Sequence, residues 1–154
     1  MIRWVSRFLF LCMQIKLPIQ LIELEEQNFH PVISSEFIGG GKGNWVIDTG
    51  ASKTVFDLNR KEDYILSNEK DEIHSAGITD QPLISALAEI KSFRLGKITV
   101  SGLKVAIIDL SHINSLYQKA GGPEICGFIG SDFLIKYQAV IDLTKQTLSL
   151  KFKL

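Results

Sequence analysis

The chain has 154 residues, 17 basic and 17 acidic side chains and a hydrophobic fraction of 45%. This is one domain by the usual size prior, with enough apolar residues for a core and too many for disorder. The balanced charge gives no reason to expect a nucleic acid or an anionic membrane as partner. Two cysteines, Cys12 and Cys126, suggest neither a disulfide framework nor a metal cluster, so no metal or other cofactor is expected.

Residues 1–12 are basic and then apolar. The uncharged run 8–15 is far shorter than the roughly 20 residues that span a bilayer, so no stable membrane span is expected. It could be a short signal h-region, but no small-residue cleavage site follows it. We read Met13 as the true start, which leaves residues 1–14 as an extension outside a domain of residues 15–154. A start at Met13 favours a cytoplasmic protein; a chain that carries residues 1–12 could be exported or membrane-associated.

Residues 15–25 alternate apolar and polar, which predicts a strand with one face buried. Pro18 cannot donate to a ladder and puts that strand at an edge or the proline at its start. Two apolar runs, 31–38 and 44–47, flank Gly39-Gly40-Gly41-Lys42-Gly43 and predict a β-hairpin. A phosphate loop is excluded there, because Gly41-Lys42 is followed by Gly43 and a strand instead of Ser or Thr and a helix.

The second run continues as Trp45-Val46-Ile47-Asp48-Thr49-Gly50-Ala51-Ser52. An Asp directly after an apolar strand is costly unless its charge is hydrogen-bonded, shared or used. Residues 53–58 predict a further short strand, and the polar stretch 59–71 a loop. Residues 73–86 predict a second hairpin with Gly77 near its tip. Residues 88–110 read as a meander with turns at Gly96-Lys97 and Ser101-Gly102, and its core strand 105–108 ends at Asp109. Ser111 is a candidate cap for a helix through Tyr117.

Near the C-terminal end, Phe128-Ile129-Gly130 precedes Ser131-Asp132, an N-cap-like pair that predicts a short helix. A terminal hairpin follows, with strands 139–142 and 147–152. Its last strand is expected to be an exposed sheet edge.

The two motifs together resemble the single-lobe, retropepsin-like (clan AA) aspartic proteases. The resemblance implies a mainly β, closed acid-protease barrel with one or two short helices that dimerises. It implies Asp48 as the catalytic residue, Thr49, Gly50, Ala51 and Ser52 as support of the active-site loop, and Phe128, Ile129 and Gly130 as the element packed beneath it. It also makes the 73–86 hairpin a flap, with Ala76, Gly77 and Ile78 at its tip. Retroviral members pair an acidic residue two places beyond the glycine with an Arg after the second glycine. Here Ser52 and Ser131 stand there, so both charges are absent together.

Only one Asp-Thr-Gly occurs in the chain. Hydrolysis by this chemistry needs two carboxylates around one water, so the second must come from another copy in a two-fold homodimer acting on a peptide or protein. The alternative is a catalytically silent module of the same fold that binds extended peptides by strand addition. His30, His74 and His112 lie far apart and suggest neither a metal site nor a triad.

Overall fold

The computed structural model describes residues 12–67 and 86–153. The proposed flap residues Ala76, Gly77 and Ile78 lie outside them. Among the described residues eleven strands and two helices run in the order β1 (Cys12–Pro18), β2 (Gln20–Glu25), β3 (Asn28–Phe37), β4 (Lys42–Ile47), β5 (Val55–Asp57), β6 (Tyr64–Leu66), β7 (Ala86–Leu95), β8 (Ile98–Ile108), α1 (Ser111–Lys119), β9 (Gly127–Ile129), α2 (Ser131–Lys136), β10 (Val140–Asp142) and β11 (Thr147–Lys153). Among the described residues no helix is long and apolar enough to cross a membrane.

The larger sheet has the order β2-β3-β4-β9-β5-β8-β7-β6, and β3 pairs again with β7. That extra pairing, Glu36 with Arg94 and Phe37 with Phe93, closes six strands into a barrel. The Arg94 guanidinium also meets the Glu36 carboxylate across the seam. Both side chains are more than half exposed, so the backbone pairing and the apolar lining do more than this ion pair.

Trp45, Phe37, Phe56 and Phe93 fill the barrel. Trp45 lies 5.4 Å from Phe56 and 5.2 Å from Phe93, ring centre to ring centre. At ~1.5–3 kcal/mol for each fully buried large apolar side chain, these rings dominate the local energetics. The strand β4 faces two cores. Trp45 and Ile47 point into the barrel, while Val46 packs outside it with Ile22, Val32, Leu110, Tyr117 and Ile125. Burial on both faces is what its unbroken apolar run predicts.

Several expectations need correction. Residues 15–25 form two strands in different sheets, because the chain leaves the ladder at Pro18. The stretch 59–71 is not all loop, since Tyr64–Leu66 pairs with β7. No turn forms at Ser101-Gly102: Gly102 takes φ +66°, yet β8 keeps one register with β7 from Ile107 to Ile98. Ser111 caps nothing; its Oγ donates to Asp109 Oδ1 at 2.5 Å. The last strand is not an edge, because β11 is the middle of a three-stranded sheet between β1 and β10.

Candidate active site

At the end of β4 the chain leaves the sheet but keeps one more ladder bond. The Asp48 N–H donates to the Ile129 carbonyl at 3.0 Å, extending the parallel pairing of β4 with β9. The turn then closes locally: the Gly50 N–H donates to Asp48 Oδ1 at 3.0 Å and the Ala51 N–H to the Asp48 carbonyl at 3.3 Å. This is an Asx-type turn, which fixes the carboxylate against its own backbone. Asp48 and Ala51 are half-buried, whereas Thr49, Gly50 and Ser52 are exposed.

The strand β9 threads between β4, to which it is parallel, and β5, to which it is antiparallel. Phe128 and Ile129 therefore lie beneath the Asp48 turn, and Gly130 meets the loop directly. A β-carbon at Gly130 would stand 2.7 Å from the Lys53 carbonyl carbon and 2.9 Å from the Ala51 oxygen, so only glycine fits. From Ser131 the N–H donates to the Ala51 carbonyl at 2.8 Å and the Oγ to the Thr49 carbonyl at 3.0 Å. Ser131 does not cap α2, whose N-cap is Gly130 and has no side-chain bond.

Ser52 and Ser131 leave no ion pair at their own positions, but a charge pair stands one residue further along each motif. Lys53 Nζ lies 3.5 Å from Asp132 Oδ2. Asp132 Oδ1 accepts from the Thr54 N–H at 2.9 Å, the Thr54 hydroxyl at 2.7 Å and the Phe133 N–H at 2.8 Å. The fully buried Thr54 hydroxyl in turn accepts from the Gly130 N–H at 3.1 Å.

Sequence reasoning missed Thr54 and Asp132, because Asp132 lacks a following Thr-Gly. The available signal was Thr54 itself, a hydroxyl at the mouth of an apolar strand that must find partners if buried.

Asp57 and Asp109 have structural work. Asp57 is buried, and its Oδ1 accepts from the Asn59 N–H at 3.2 Å, the Asn59 amide at 3.1 Å and the Leu110 N–H at 3.2 Å. It borders a polar cavity of about 510 Å³ beside α1, at the end of β5 away from Asp48. Two hydrogen bonds from Ser111, with a further one from Asn59, hold the Asp109 carboxyl below its usual range.

His30 lies on β3, where its Nδ1 is 2.7 Å from the Tyr117 hydroxyl. Among the described residues no group of three or more His, Cys, Asp or Glu side chains could hold a metal ion.

No curated protein sequence matches this chain. In three dimensions it is similar to a retropepsin-like aspartic protease from Rickettsia conorii, with a TM-score of 0.51 and 17% identity over 99% of this chain and 98% of that one. At that identity the likeness speaks to the fold alone. The family model described as aspartyl protease matches residues 37–133, a span that holds the Asp48 turn, β9 and the Thr54–Asp132 bonds. That is more than half of the chain, which therefore belongs to the aspartyl protease family, with a retropepsin-like fold.

Proposed function

We infer that this chain is an aspartic endopeptidase that works as a homodimer, with the Asp48 carboxylates of two copies sharing one proton around one water. The observation that carries this reading is the state of Asp48. Its Oδ1 is held by the Gly50 N–H, and among the described residues no donor reaches Oδ2, on a rim formed by exposed Thr49, Gly50 and Ser52. One carboxylate cannot be both base and acid in the same step. The chain has a single Asp-Thr-Gly, so a second copy supplies the partner.

In this reading the ionised Asp48 takes a proton from the water as it attacks the scissile carbonyl. The protonated one polarises that carbonyl and then protonates the leaving amine. Two carboxylates this close cannot both ionise, which is what keeps one proton between them. Thr49 braces the two loops across the axis and Gly50 lets the substrate backbone approach. Exposed Ile135, Val140 and Leu143, on α2, β10 and the turn after it, add apolar surface that a second copy would cover.

The test is cleavage of a diverse peptide library from acidic to neutral pH, read by mass spectrometry, with wild type and Asp48→Asn side by side. Cuts made by wild type and absent from the mutant are the expected result. A folded dimer that cuts nothing would turn the reading toward the peptide-binding module. Full activity from a sample that sediments only as monomer would sink the shared site.

A further inference from the structure

The geometry points to Thr54 and Asp132 as positioning residues that set where the Asp48 backbone stands, through a hydrogen-bond relay with a fixed direction. This rests on the reading of Asp48 as one half of a shared carboxylate pair.

The direction follows from donor and acceptor inventories. The carboxylate of Asp132 can only accept, so the Thr54 hydroxyl must donate its one proton to Oδ1, 2.7 Å away. A lone pair of the same hydroxyl is then free for the Gly130 N–H at 3.1 Å. With Thr54 fully buried, no water stands in for either bond. Removing the hydroxyl therefore orphans the Gly130 N–H, and removing the carboxylate orphans the Thr54 and Phe133 N–H groups and frees the hydroxyl to turn.

Gly130 in turn separates the two residues that hold the catalytic loop. On one side the Ile129 carbonyl accepts the Asp48 N–H. On the other, Ser131 reaches the carbonyls of Ala51 and Thr49. The loop 48–51 is thus suspended from both flanks of Gly130, and Thr54 with Asp132 pins Gly130 itself. Lys53 Nζ at 3.5 Å from Oδ2 holds the other carboxylate oxygen at the site's edge. A two-fold pair adds the misplacement of both copies at the axis, so a small shift of Gly130 is felt twice.

The test compares Thr54→Val, which keeps the shape and loses the hydroxyl, with Thr54→Ser, which keeps the hydroxyl. Two quantities are read on the dimer, well below its unfolding temperature. One is kcat and KM on a peptide taken from the library cuts, normalised to folded protein; the other is hydrogen exchange of the Gly50 amide by NMR. For Thr54→Val, kcat is expected to fall by about tenfold to a hundredfold, since small misplacements of reacting groups cost that much. KM should stay within about twofold, as expected when ground-state binding is spared. Gly50 exchange should quicken, and Thr54→Ser should restore both readouts.

Should Thr54→Val not fold, Asp132→Asn carries the same readouts. It keeps an acceptor oxygen but loses the charge, for an expected loss of about fivefold in kcat. A variant that is less stable yet keeps wild-type kcat and Gly50 exchange would overturn the positioning role and leave Asp48-dependent cleavage standing. A wild type without such cleavage would instead remove the protease reading. Gly50 exchange would then decide the relay: quickened in Thr54→Val it stands, unchanged it falls.

Discussion

Gly127 lies so close to Trp45 that a β-carbon on the glycine would stand 2.7 Å from Cζ3 of the indole and 2.4 Å from the Val55 carbonyl oxygen. The oxygen is backbone and the indole is fully buried among Phe37, Phe56 and Phe93, so neither neighbour can give way. Gly127→Ala should therefore cost about 3 kcal/mol, the upper part of the range for overpacked cores. Urea unfolding should show a lower midpoint with an unchanged slope.

Within the same barrel, the Trp45 indole N–H donates to the Ser35 hydroxyl at 2.8 Å, and both groups are buried. Ser35→Ala removes the acceptor and strands the donor. The expected loss is about 1–3 kcal/mol, the desolvation penalty of one unpaired polar group. The same urea measurement checks it, and fluorescence of the indole should report the altered surroundings.

The two cysteines should differ sharply in reactivity. Cys12 is exposed at the start of β1, whereas Cys126 is fully buried and burial pushes its thiol well above the usual 9.0. Since the thiolate is the nucleophile, iodoacetamide should modify Cys12 in the folded protein and reach Cys126 only on unfolding. Mass spectrometry of the labelled peptides reads this directly. Rapid labelling of Cys126 in native buffer would contradict the buried position.

Alkali should weaken the fold by a route that can be isolated. Burial raises the Tyr117 hydroxyl from 10.0 to about 12. The folded state therefore keeps a proton that the unfolded chain releases. The stability this represents is fully present below pH 10 and is lost as pH rises toward about 12. Cys126 acts in the same direction from about its ordinary 9.0 upward. Thermal unfolding of Tyr117→Phe should fall less steeply over that window than wild type. Its overall midpoint should be lower, because the bond to His30 is gone.

The opposite sign holds for Asp109. Its carboxyl is depressed by Ser111, so its contribution is present above pH 3.8 and is lost as pH falls below that value. Asp109→Asn should flatten the acid limb of the stability curve without altering the alkaline one.

The parts of this molecule legible in the sequence were those with a strong local pattern. The apolar run ending at Asp48 gave the central strand, the glycine run before it gave the hairpin of β3 and β4, and the alternation of 147–152 gave β11. Pairing across distance was not legible. Nothing local shows that Pro18 hands the chain from one sheet to another, or that Tyr64–Leu66 borrows an edge of β7.

The site divides in the same way. Asp48 stands out as a carboxylate set directly after an apolar strand, and Gly130 because a β-carbon there would strike the Lys53 and Ala51 backbone. Thr54 and Asp132 meet through bonds between residues 78 apart in the chain, which no window of sequence contains. Ser131 looked like a helix cap because serine at a helix start usually is one; its hydroxyl instead found the Thr49 carbonyl across the motif junction.

The pairing of β1 with β11 sets Cys12 opposite Lys153. A chain leaving the ribosome cannot begin that ladder until almost all of the residues between have been made, and the first strand must wait with Leu17, a core residue, unpaired. Long-range pairing of this kind slows folding, since loop closure precedes any return in contacts. During synthesis the waiting strand is open to pairing with other chains, a liability that ends only when β11 arrives. A strand made some hundred residues later is thus the one that shelters β1.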